Sequence, residues 1–500
     1  MFSLENLYRQ YYACRRNKRQ TVNALRFEVQ QERHLLALKE ALETRTYHPS
    51  RSVCFVATLA KLREIFAADF RDRIVHHVLV AELEKIWEPI FIHDSYACRR
   101  GKGVHRGVRR LQQFLRHVTA NGTRPAFFLQ LDIQNYFMTI DKTILFALIA
   151  AKVKDPDVLW LAQVLIFHDC TEEYLVRGDP RLLLQVPPHK SLRFAPPHTG
   201  LPIGNLNSQF FANVYLNELD QFVKHRLKCR YYLRYCDDFV LLSRDRDELL
   251  GWREQIATFL RERLMLALNP TRQRLQPVSN GIDWLGYIVR SDYLLVRRRV
   301  VHHLRSKLER FRALLVQESA GVRRYAFDRV VLDRLAAMLA SYLGHFKLAQ
   351  TYRLCSSLWT RYPFLAQYFT VNPTTKTLGR KFGFPAGFRT AAQQYGYYRW
   401  RFAGDVLLFQ VGRFFEWYQL GDREVAQWLG LRPLRRHARG ARYGLPVRRG
   451  TWALRRLLRL NRSVTLILEG EGPRLTPVNM RWPAYRFDPV SGPALHPPSP

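Results

Sequence analysis

The spacing of apolar and polar residues changes along the chain, and it predicts a helical segment at the start. Residues 1–50 are polar and helix-forming, and Leu35, Leu36, Leu38 and Leu42 are spaced for one buried face. A basic helical entry segment is therefore expected before the first strand.

A strand-like stretch follows and gives way to a helix. Residues 55–66 are largely apolar, and a helix is expected over 71–77. Lys61 and Arg63 alternate with apolar neighbours, so both would project from one strand face, where they could grip a triphosphate. A solvated strand face explains the same alternation equally well.

Three acidic residues stand at or near the ends of apolar runs. Asp237 and Asp238 lie between two runs that predict strands joined by a tight turn, and Asp132 lies in a third run, 127–133. Adjacent like charges repel unless a cation neutralises them. Magnesium prefers oxygen ligands and keeps substrate phosphates as its other ligands, so carboxylates on neighbouring strands suit a two-metal site. A simple hairpin turn is the alternative reading of the acid pair.

Beyond residue 290 the pattern becomes basic and helical. Residues 291–365 predict helices that bury an apolar stripe and present arginines, which would track a nucleic-acid backbone or simply face solvent. A linker is expected near 372–377. A strand, a glycine turn, an aromatic run and short helices then predict a compact mixed unit. The proline-rich end, 473–500, is expected to be an extended or loosely packed tail.

The charge of the chain narrows the class of partner. Its 79 Lys and Arg exceed its 42 Asp and Glu, which gives a formal net charge of +37 over 500 residues. Such an excess attracts polyanions, and because most of it is arginine, nucleic acid is favoured over a membrane surface. No apolar run has the length of a membrane span and the amino terminus has no signal-peptide core, so a soluble cytoplasmic protein is expected. The seven cysteines are scattered and predict neither a disulfide framework nor a zinc site.

Glycines and cations stand together before a predicted helix. Arg99, Arg100 and Lys102 flank Gly101, and the helix is expected to begin near Val104. Glycines beside cations at a helix start allow the backbone to approach phosphates, although the spacing is not that of a Walker loop. These three basic residues are therefore predicted to contact nucleic acid.

Several motifs, in order and spacing, resemble a reverse transcriptase, and more narrowly the reverse transcriptases of bacterial and phage diversity-generating retroelements. The motifs are Lys61–Ile65, Ser95–Arg99, Leu131–Ile133, Gly200–Gln209, Tyr235–Asp238 and Trp284–Tyr287. The likeness covers about residues 1–365. It implies a mixed α/β (α+β) fold, a right-hand polymerase with fingers, palm and helical thumb.

The resemblance and the changes in composition divide the chain into six expected segments. They are an N-terminal helical segment (1–54), fingers and palm (55–290), thumb (291–370), linker (371–395), a second nucleic-acid-binding domain (396–472) and the proline-rich tail (473–500).

The resemblance also implies roles for the acids. Asp132 and Asp237 would be metal ligands together with the carbonyl of Ile133, and Asp238 would support the site and orient the primer end. The implied cofactor is Mg²⁺ at a two-metal site, with Mn²⁺ possible, and the implied substrates are deoxynucleoside triphosphates.

Further residues are implied to contact the incoming nucleotide. Phe137 falls where this superfamily keeps an aromatic steric gate against the ribose 2′-hydroxyl, with core packing as the alternative. Ile203 replaces a glutamine found in many reverse transcriptases, and losing that hydrogen bond should lower fidelity. Gln209 ends the same motif. Arg272 stands where related enzymes commonly place a proton-donating lysine, so it would act by charge alone or leave proton donation to water.

Residues 396–471 resemble the amino-terminal mismatch-recognition domain of the MutS family. That family uses a Phe-x-Glu element, present here as Phe414 and Glu416, in which the phenylalanine would stack on a mispaired base and the glutamate would contact it. Packing of Phe414 in the core is the alternative. A neighbouring cationic loop, expected to contact phosphate, contains Arg435, Arg436 and Arg439.

The resemblance implies an RNA-directed DNA polymerase that copies a template RNA into adenine-mutagenised cDNA for a diversity-generating retroelement. It implies as partners the template RNA, the cDNA or primer strand and a small basic accessory variability protein, with no membrane. A reverse transcriptase of another bacterial system, retron-like or anti-phage, is one alternative. A non-catalytic RNA-binding scaffold is the other, and the intact acids Asp132, Asp237 and Asp238 argue against it.

Overall fold

The computed structural model describes residues 1–16, 18, 21–58, 62–381, 388, 390–419, 422–437, 440–470 and 480–490, with the backbone alone at 434–437, 440 and 441. The chain divides into two compact units, Met1–Tyr293 and Leu294–Pro500. Both units mix helices and strands, which confirms the expected mixed α/β class. None of the helices in the described ranges is long and apolar enough to cross a membrane.

The first unit alternates helices with short strands. In chain order its elements are α1 (Leu4–Arg15), α2 (Val22–Val29), α3 (Gln31–Glu43), β1 (Ser52–Ala57), β2 (Arg63–Ala67), α4 (Phe70–Trp87), α5 (Val104–Val118), β3 (Phe127–Asp132), α6 (Tyr136–Thr139), α7 (Lys142–Ala150), α8 (Pro156–Phe167), β4 (Tyr174–Val176), α9 (Arg181–Leu184), α10 (Leu206–Gln221), β5 (Tyr231–Tyr235), β6 (Asp238–Ser243), α11 (Arg246–Leu264), β7 (Arg274–Pro277), β8 (Ile282–Trp284) and β9 (Tyr287–Val289).

The amino-terminal segment is helical, and one residue of its expected apolar stripe is misplaced. Leu35, Leu38 and Leu42 on α3 are fully buried, whereas Leu36 is 54% exposed. The three buried leucines follow the i, i+3, i+7 spacing of a single helix face, and Leu36 is turned about 100° away from Leu35. The prediction that Leu36 joins the buried face was wrong for this geometric reason.

A four-stranded antiparallel sheet forms the centre of the first unit, in the order β5-β6-β3-β7. Strands β5 and β6 form the hairpin that holds the acid pair, and β3 lies beside β6. Strands β3, β5 and β6 are largely apolar, and helices α5, α10 and α11 contribute buried apolar residues to the same unit. A separate sheet, β2-β1-β4, carries the basic strand near residue 63.

The second unit is built around an eight-stranded sheet. Its elements are β10 (Leu294–Val296), α12 (Arg298–Leu315), β11 (Val316–Ser319), β12 (Val322–Ala326), α13 (Arg329–Phe346), α14 (Tyr352–Arg361), α15 (Leu365–Tyr368), β13 (Phe369–Asn372), β14 (Thr377–Arg380), α16 (Ala391–Arg401), β15 (Val406–Val411), β16 (Phe414–Trp417), α17 (Arg423–Trp428), β17 (Pro433–His437), β18 (Gly440–Pro446), α18 (Gly450–Arg459), β19 (Val464–Glu469) and β20 (Arg481–Pro489). The sheet order is β11-β12-β20-β19-β15-β16-β18-β17.

Two expected boundaries look different in the structure. The segment 473–500 was expected to be a tail, yet β20 lies inside the sheet between β12 and β19. The expected linker 371–395 contains part of the β13-β14 hairpin and the start of α16. Long-range pairing explains both cases, because β20 pairs with β12, a strand more than 150 residues earlier in the chain. The expected thumb and the expected second domain consequently share one apolar core.

Candidate active site

Strand register brings the three acids to one end of the central sheet. Asp132 ends β3 and Asp238 begins β6, and the two residues are direct partners across the antiparallel pair. Asp237 occupies the turn just before β6, where its carbonyl accepts a hydrogen bond from the Ile133 amide at 3.2 Å. Asp132 is buried, whereas Asp237 and Asp238 are half-buried. Directly opposed residues have neighbouring Cβ atoms, so the side chains of Asp132 and Asp238 lie close together.

A fully buried ion pair supports the turn that holds Asp237. Arg234 donates to both carboxylate oxygens of Asp220, at 2.8 and 2.6 Å, and neither side chain is exposed. The same guanidinium donates to the carbonyl of Cys236 at 3.0 Å. Cys236 has a φ of +58°, in the left-handed region that non-glycine residues rarely adopt. Arg234 therefore fastens a strained residue directly beside Asp237.

Burial, followed by the charges of neighbouring acids, raises the pKa values of Asp237 and Asp238. Burial, together with the charges of Asp237 and Asp132, raises the pKa of Asp238 to about 7, although a hydrogen bond from Gln130 opposes the rise. Burial and then the charge of Asp132 also raise the pKa of Asp237. A cationic group placed between these carboxylates would relieve the repulsion.

Asp132 is held by two neighbours from the segment after α11. Asn269 donates from its side chain to Oδ1 at 3.0 Å and from its amide to the Asp132 carbonyl at 2.8 Å. Arg272 donates to Oδ2 at 3.0 Å from a half-exposed position. Arg272 thus reaches an acid of the site and supplies positive charge there.

The donor set suits hard divalent cations, although it is not gathered as a closed metal cage. Across the described ranges, no three or more His, Cys, Asp or Glu side chains are grouped as a metal site would require. Asp132 and Asp238 are nevertheless opposed across the strand pair, and burial, followed by the charge of Asp132, raises the pKa of the neighbouring Asp237. An incomplete protein ligand set is what a magnesium site that also uses substrate phosphates requires.

Two of the predicted nucleotide-contacting residues, Ile203 and Phe137, are joined to one loop by backbone hydrogen bonds. The Ile203 carbonyl accepts from the Phe66 amide on β2 at 3.1 Å, and the Phe137 carbonyl accepts from the Leu201 amide at 2.7 Å. Gly204 has a φ of +120°, and a Cβ there would lie 2.8 Å from Cγ2 of Ile65. Backbone bonds therefore fix the loop between β2 and α6, the short helix of the predicted steric gate.

The remaining predicted triphosphate contacts are less tightly placed. Arg63 is exposed at the start of β2, opposite Ala57, and Gln209 is exposed on the first turn of α10. Lys61 lies outside the described residues.

The predicted phosphate-binding loop before α5 contains residues of two kinds. The Arg99 side chain is only 6% exposed, pairs with Glu88 at 2.9 Å and donates to two backbone carbonyls. Lys102 donates to the His93 carbonyl at 2.7 Å, whereas Arg100 is exposed. The geometry favours a structural role for Arg99 over the predicted phosphate contact, because its donors are already used.

The Phe-x-Glu element of the second unit lies on β16. Phe414 is 42% exposed, whereas Phe415 is buried in the core, as the alternation of side chains along a strand requires. Glu416 is only 6% exposed and forms an ion pair with Arg442. Phe414 is thus available at the surface, but Glu416 is not in the exposed position predicted for a base contact.

The cationic loop of the second unit is only partly visible. Arg435 and Arg436 lie on β17, where the backbone alone is described, and Arg439 lies outside the described residues.

Several supporting residues were missed by sequence reasoning. Gln130 and Asn269 donate to Asp238 and Asp132 directly. Arg234, paired with Asp220, donates to the carbonyl of the residue before Asp237. A charged residue inside an apolar strand, as Arg234 is, was the available signal, because such a residue is rarely buried without a partner.

Opposed carboxylates on adjacent strands of an antiparallel sheet, with a third in the adjoining turn, suit metal-assisted nucleotidyl transfer of the polymerase type. Residues 56–289 match the family of reverse transcriptases (RNA-dependent DNA polymerases), so this part of the chain is a reverse transcriptase domain. The domain is that of an RNA-directed DNA polymerase.

Individual relatives extend the comparison. The chain is 24% identical over 300 residues to protein YkfC of Escherichia coli K12, covering 53% of this chain and 74% of YkfC. It is 23% identical over 365 residues to the group II intron-encoded protein LtrA of Lactococcus lactis, covering 60% of this chain and 57% of LtrA. A telomerase structure from Candida albicans aligns with a TM-score of 0.35 and 10% identity, over 61% of this chain and 55% of that one. The chain therefore spans only part of each of these proteins.

Proposed function

We propose that this chain copies a template RNA into error-prone cDNA for a diversity-generating retroelement. The observation that carries the catalytic part is the direct pairing of Asp132 with Asp238, with Asp237 in the adjoining turn. The proposed substrates are deoxynucleoside triphosphates and a primer strand annealed to RNA. A small basic accessory protein is a further proposed partner.

The proposed catalytic arrangement assigns a task to each acid. Asp132, Asp237 and the Ile133 carbonyl would hold two magnesium ions, or manganese, which when bound activate the primer hydroxyl and neutralise the triphosphate. Asp238, fixed by the Gln130 amide at 3.1 Å, orients the primer end. Arg272 adds positive charge where pyrophosphate leaves, without donating a proton. The Phe137 ring would exclude a ribose 2′-hydroxyl.

The error-prone part of the proposal rests on Ile203. An aliphatic side chain offers no hydrogen bond to a nascent base pair, and polar contacts provide the larger rejection factors against wrong substrates. The loop that carries Ile203 is fixed by backbone bonds on both sides, so a different side chain would be presented from the same place. Adenine as the mutated base is inferred from the family resemblance.

Sequencing of cDNA tests this proposal. The purified chain would copy an RNA template with magnesium and four deoxynucleotides, alongside Ile203→Gln and an inactive Asp237→Ala control. Errors concentrated opposite template adenines, and reduced in Ile203→Gln, are expected. Faithful cDNA from the wild-type chain would contradict the mutagenic role while leaving polymerase activity intact.

A second candidate is a reverse transcriptase of the group II intron type. The observation favouring it is the similarity to LtrA over 365 residues. Such an enzyme should copy all template bases with similar error rates, so the same cDNA library separates the two candidates.

For the second unit we propose binding of distorted primer-template duplex through Phe414. Its exposure on β16 supports a wedge that enters an unstacked base step, and a mismatched step is cheaper to unstack. Glu416 would then orient the surface through its ion pair with Arg442.

Paired variants test the role of Phe414. Phe414→Ala should weaken binding to mismatched duplex relative to matched duplex, while Tyr352→Ala, an exposed aromatic on α14, should not. Equal binding of the two duplexes by the wild-type chain would remove the idea.

A further inference from the structure

One stretch of the second unit is unusually one-sided in charge. Between Glu424 and Glu469 the sequence contains eleven arginines and no acidic residue. Six of these arginines lie on or beside α18, and all six are exposed: Arg448, Arg449, Arg455, Arg456, Arg459 and Arg462. We call these six residues the α18 arginine face.

The arginines of α18 share one side of the helix. Ala453 and Leu457 are fully buried and mark the side that packs against the core. Successive residues turn by about 100°, so Arg455 and Arg459 point away from that side. Along the helix, residues 448 to 459 would span roughly 15 Å, enough to meet several phosphates of one strand.

Aromatic rings hold part of this face in place. The guanidinium groups of Arg449 and Arg456 lie 5.0 and 5.9 Å from the centre of the Trp452 ring. Arg456 also donates to the Trp428 carbonyl, and Arg462 lies 4.4 Å from the centre of the Trp428 ring. Stacking restrains the arginines without neutralising their charge, so less side-chain entropy is lost when an anion binds.

Carboxylates do not neutralise the face. Within the described part of the chain, none of the six arginines has an ion pair with Asp or Glu. By contrast, the nearby Arg442 pairs with Glu416, which shows how this unit satisfies an arginine that serves structure. Six exposed guanidinium groups without a carboxylate partner leave a positive surface that attracts anions.

We propose that the α18 arginine face binds the sugar-phosphate backbone of RNA. Guanidinium groups bind phosphate oxygens bidentately, and a cluster of them on and beside one helix can contact a polyanion without reading its sequence. RNA is selected over DNA because the proposed function supplies an RNA template, and in that respect the inference rests on the proposed function. The bound RNA segment would contact residues of the second unit, whereas Asp132, Asp237 and Asp238 belong to the first.

A neutralised triple variant tests this surface in the full-length chain. Arg448→Gln, Arg455→Gln and Arg459→Gln would be combined, because none of the three stacks on Trp452 or Trp428. The matched control combines Arg246→Gln, Arg261→Gln and Arg263→Gln on α11, which removes the same charge from exposed positions on a helix that also carries acids. Binding of a fluorescent RNA hairpin would be followed by anisotropy over a range of salt concentrations, without nucleotides.

The triple variant should bind RNA about tenfold more weakly, with the slope of log Kd against log salt reduced by about 2 to 3. The control should change affinity less than about twofold. Equal losses in both variants would overturn the proposal, because net charge alone would then explain them. Tighter binding of the wild-type chain to a DNA hairpin of the same sequence would also overturn the proposal. So would a triple variant that binds RNA normally but loses binding to vesicles of phosphatidylglycerol and phosphatidylcholine.

Primer extension separates this inference from the proposed function. The triple variant should keep its rate on a saturating, preannealed primer-template, since Asp132, Asp237 and Asp238 are unchanged. A wild-type chain that binds RNA through this face but extends no primer would retain the inference and remove the proposed function.

Discussion

Arg234 shows how a single residue connects folding with catalysis. Its guanidinium neutralises Asp220 in the interior and also holds the Cys236 carbonyl beside Asp237. Breaking a buried ion pair leaves an uncompensated charge, whereas removing both partners together costs far less. The two tasks of Arg234 can therefore be separated.

Two variants make that separation. Arg234→Met alone should lower the free energy of unfolding by about 3 to 5 kcal/mol, because Asp220 is left unpaired. The double variant Arg234→Met with Asp220→Leu should regain much of that stability yet keep a reduced kcat for primer extension, with KM for nucleotide little changed. Urea denaturation and steady-state kinetics measure the two effects. A stable double variant with wild-type kcat would show that Arg234 is purely structural.

His76 should make the free energy of unfolding depend on pH. It is fully buried on α4, its Nδ1 has no hydrogen-bond partner in the described part of the chain, and burial lowers its pKa to about 3, helped by Arg73, His77 and His168. Its folded-state pKa lies below the ordinary value near 6.5, so the unfolded chain takes up a proton first as pH falls. Stability from this group is complete above about pH 6.5 and is lost progressively toward pH 3.

Lowering the pH from 7 to 5 should reduce the contribution of His76 to the free energy of unfolding by about 2 kcal/mol. His76→Gln should therefore flatten the pH dependence of urea denaturation by that amount, and His189→Gln, at an exposed histidine, should leave it unchanged. An unchanged slope in His76→Gln would show that His76 becomes protonated in the folded chain.

Among the elements, β20 is an interior strand of the second unit's sheet, although its sequence predicts a loose tail. It lies between β12 and β19, so removing it would expose two strand edges. A chain that ends after residue 479 should lose the cooperative unfolding of the second unit, whereas one that ends after Val490 keeps every strand described. Limited proteolysis and thermal unfolding would show the difference. Equal stability of the two truncated chains would contradict the central place of β20.

Elements were predictable from sequence where their signals were local. The acids at strand ends predicted Asp132 and Asp238 near each other, because apolar runs on both sides fixed the strands. β20 gave no such signal, since its prolines resemble a loose tail and its partner β12 is distant in sequence. Arg99 and Arg100 are adjacent and indistinguishable in sequence, and only the structure shows that Arg99 forms an ion pair with Glu88.

At the scale of the whole molecule, two units of unequal chemistry share one polypeptide. The first unit carries the opposed carboxylates, and the second carries a long arginine-rich stretch without acids. The chain as a whole has a formal net charge of +37, which attracts polyanions. In the second unit, β12 pairs with β20 although more than 150 residues separate them in sequence. Charge and periodicity, which are local signals, could not predict that pairing.

Primer extension on an RNA template is the most direct test of whether Asp132, Asp237 and Asp238 form the active site of a polymerase. A labelled DNA primer annealed to RNA would be incubated with magnesium, deoxynucleotides and the wild-type chain, Asp237→Asn, or Asp292→Asn as an exposed carboxylate control. We expect extension by the wild-type and Asp292→Asn chains and a loss of at least about a thousandfold in Asp237→Asn, because one carboxylate of the proposed metal site is gone. Extension by Asp237→Asn at the wild-type rate would contradict the assignment of the active site.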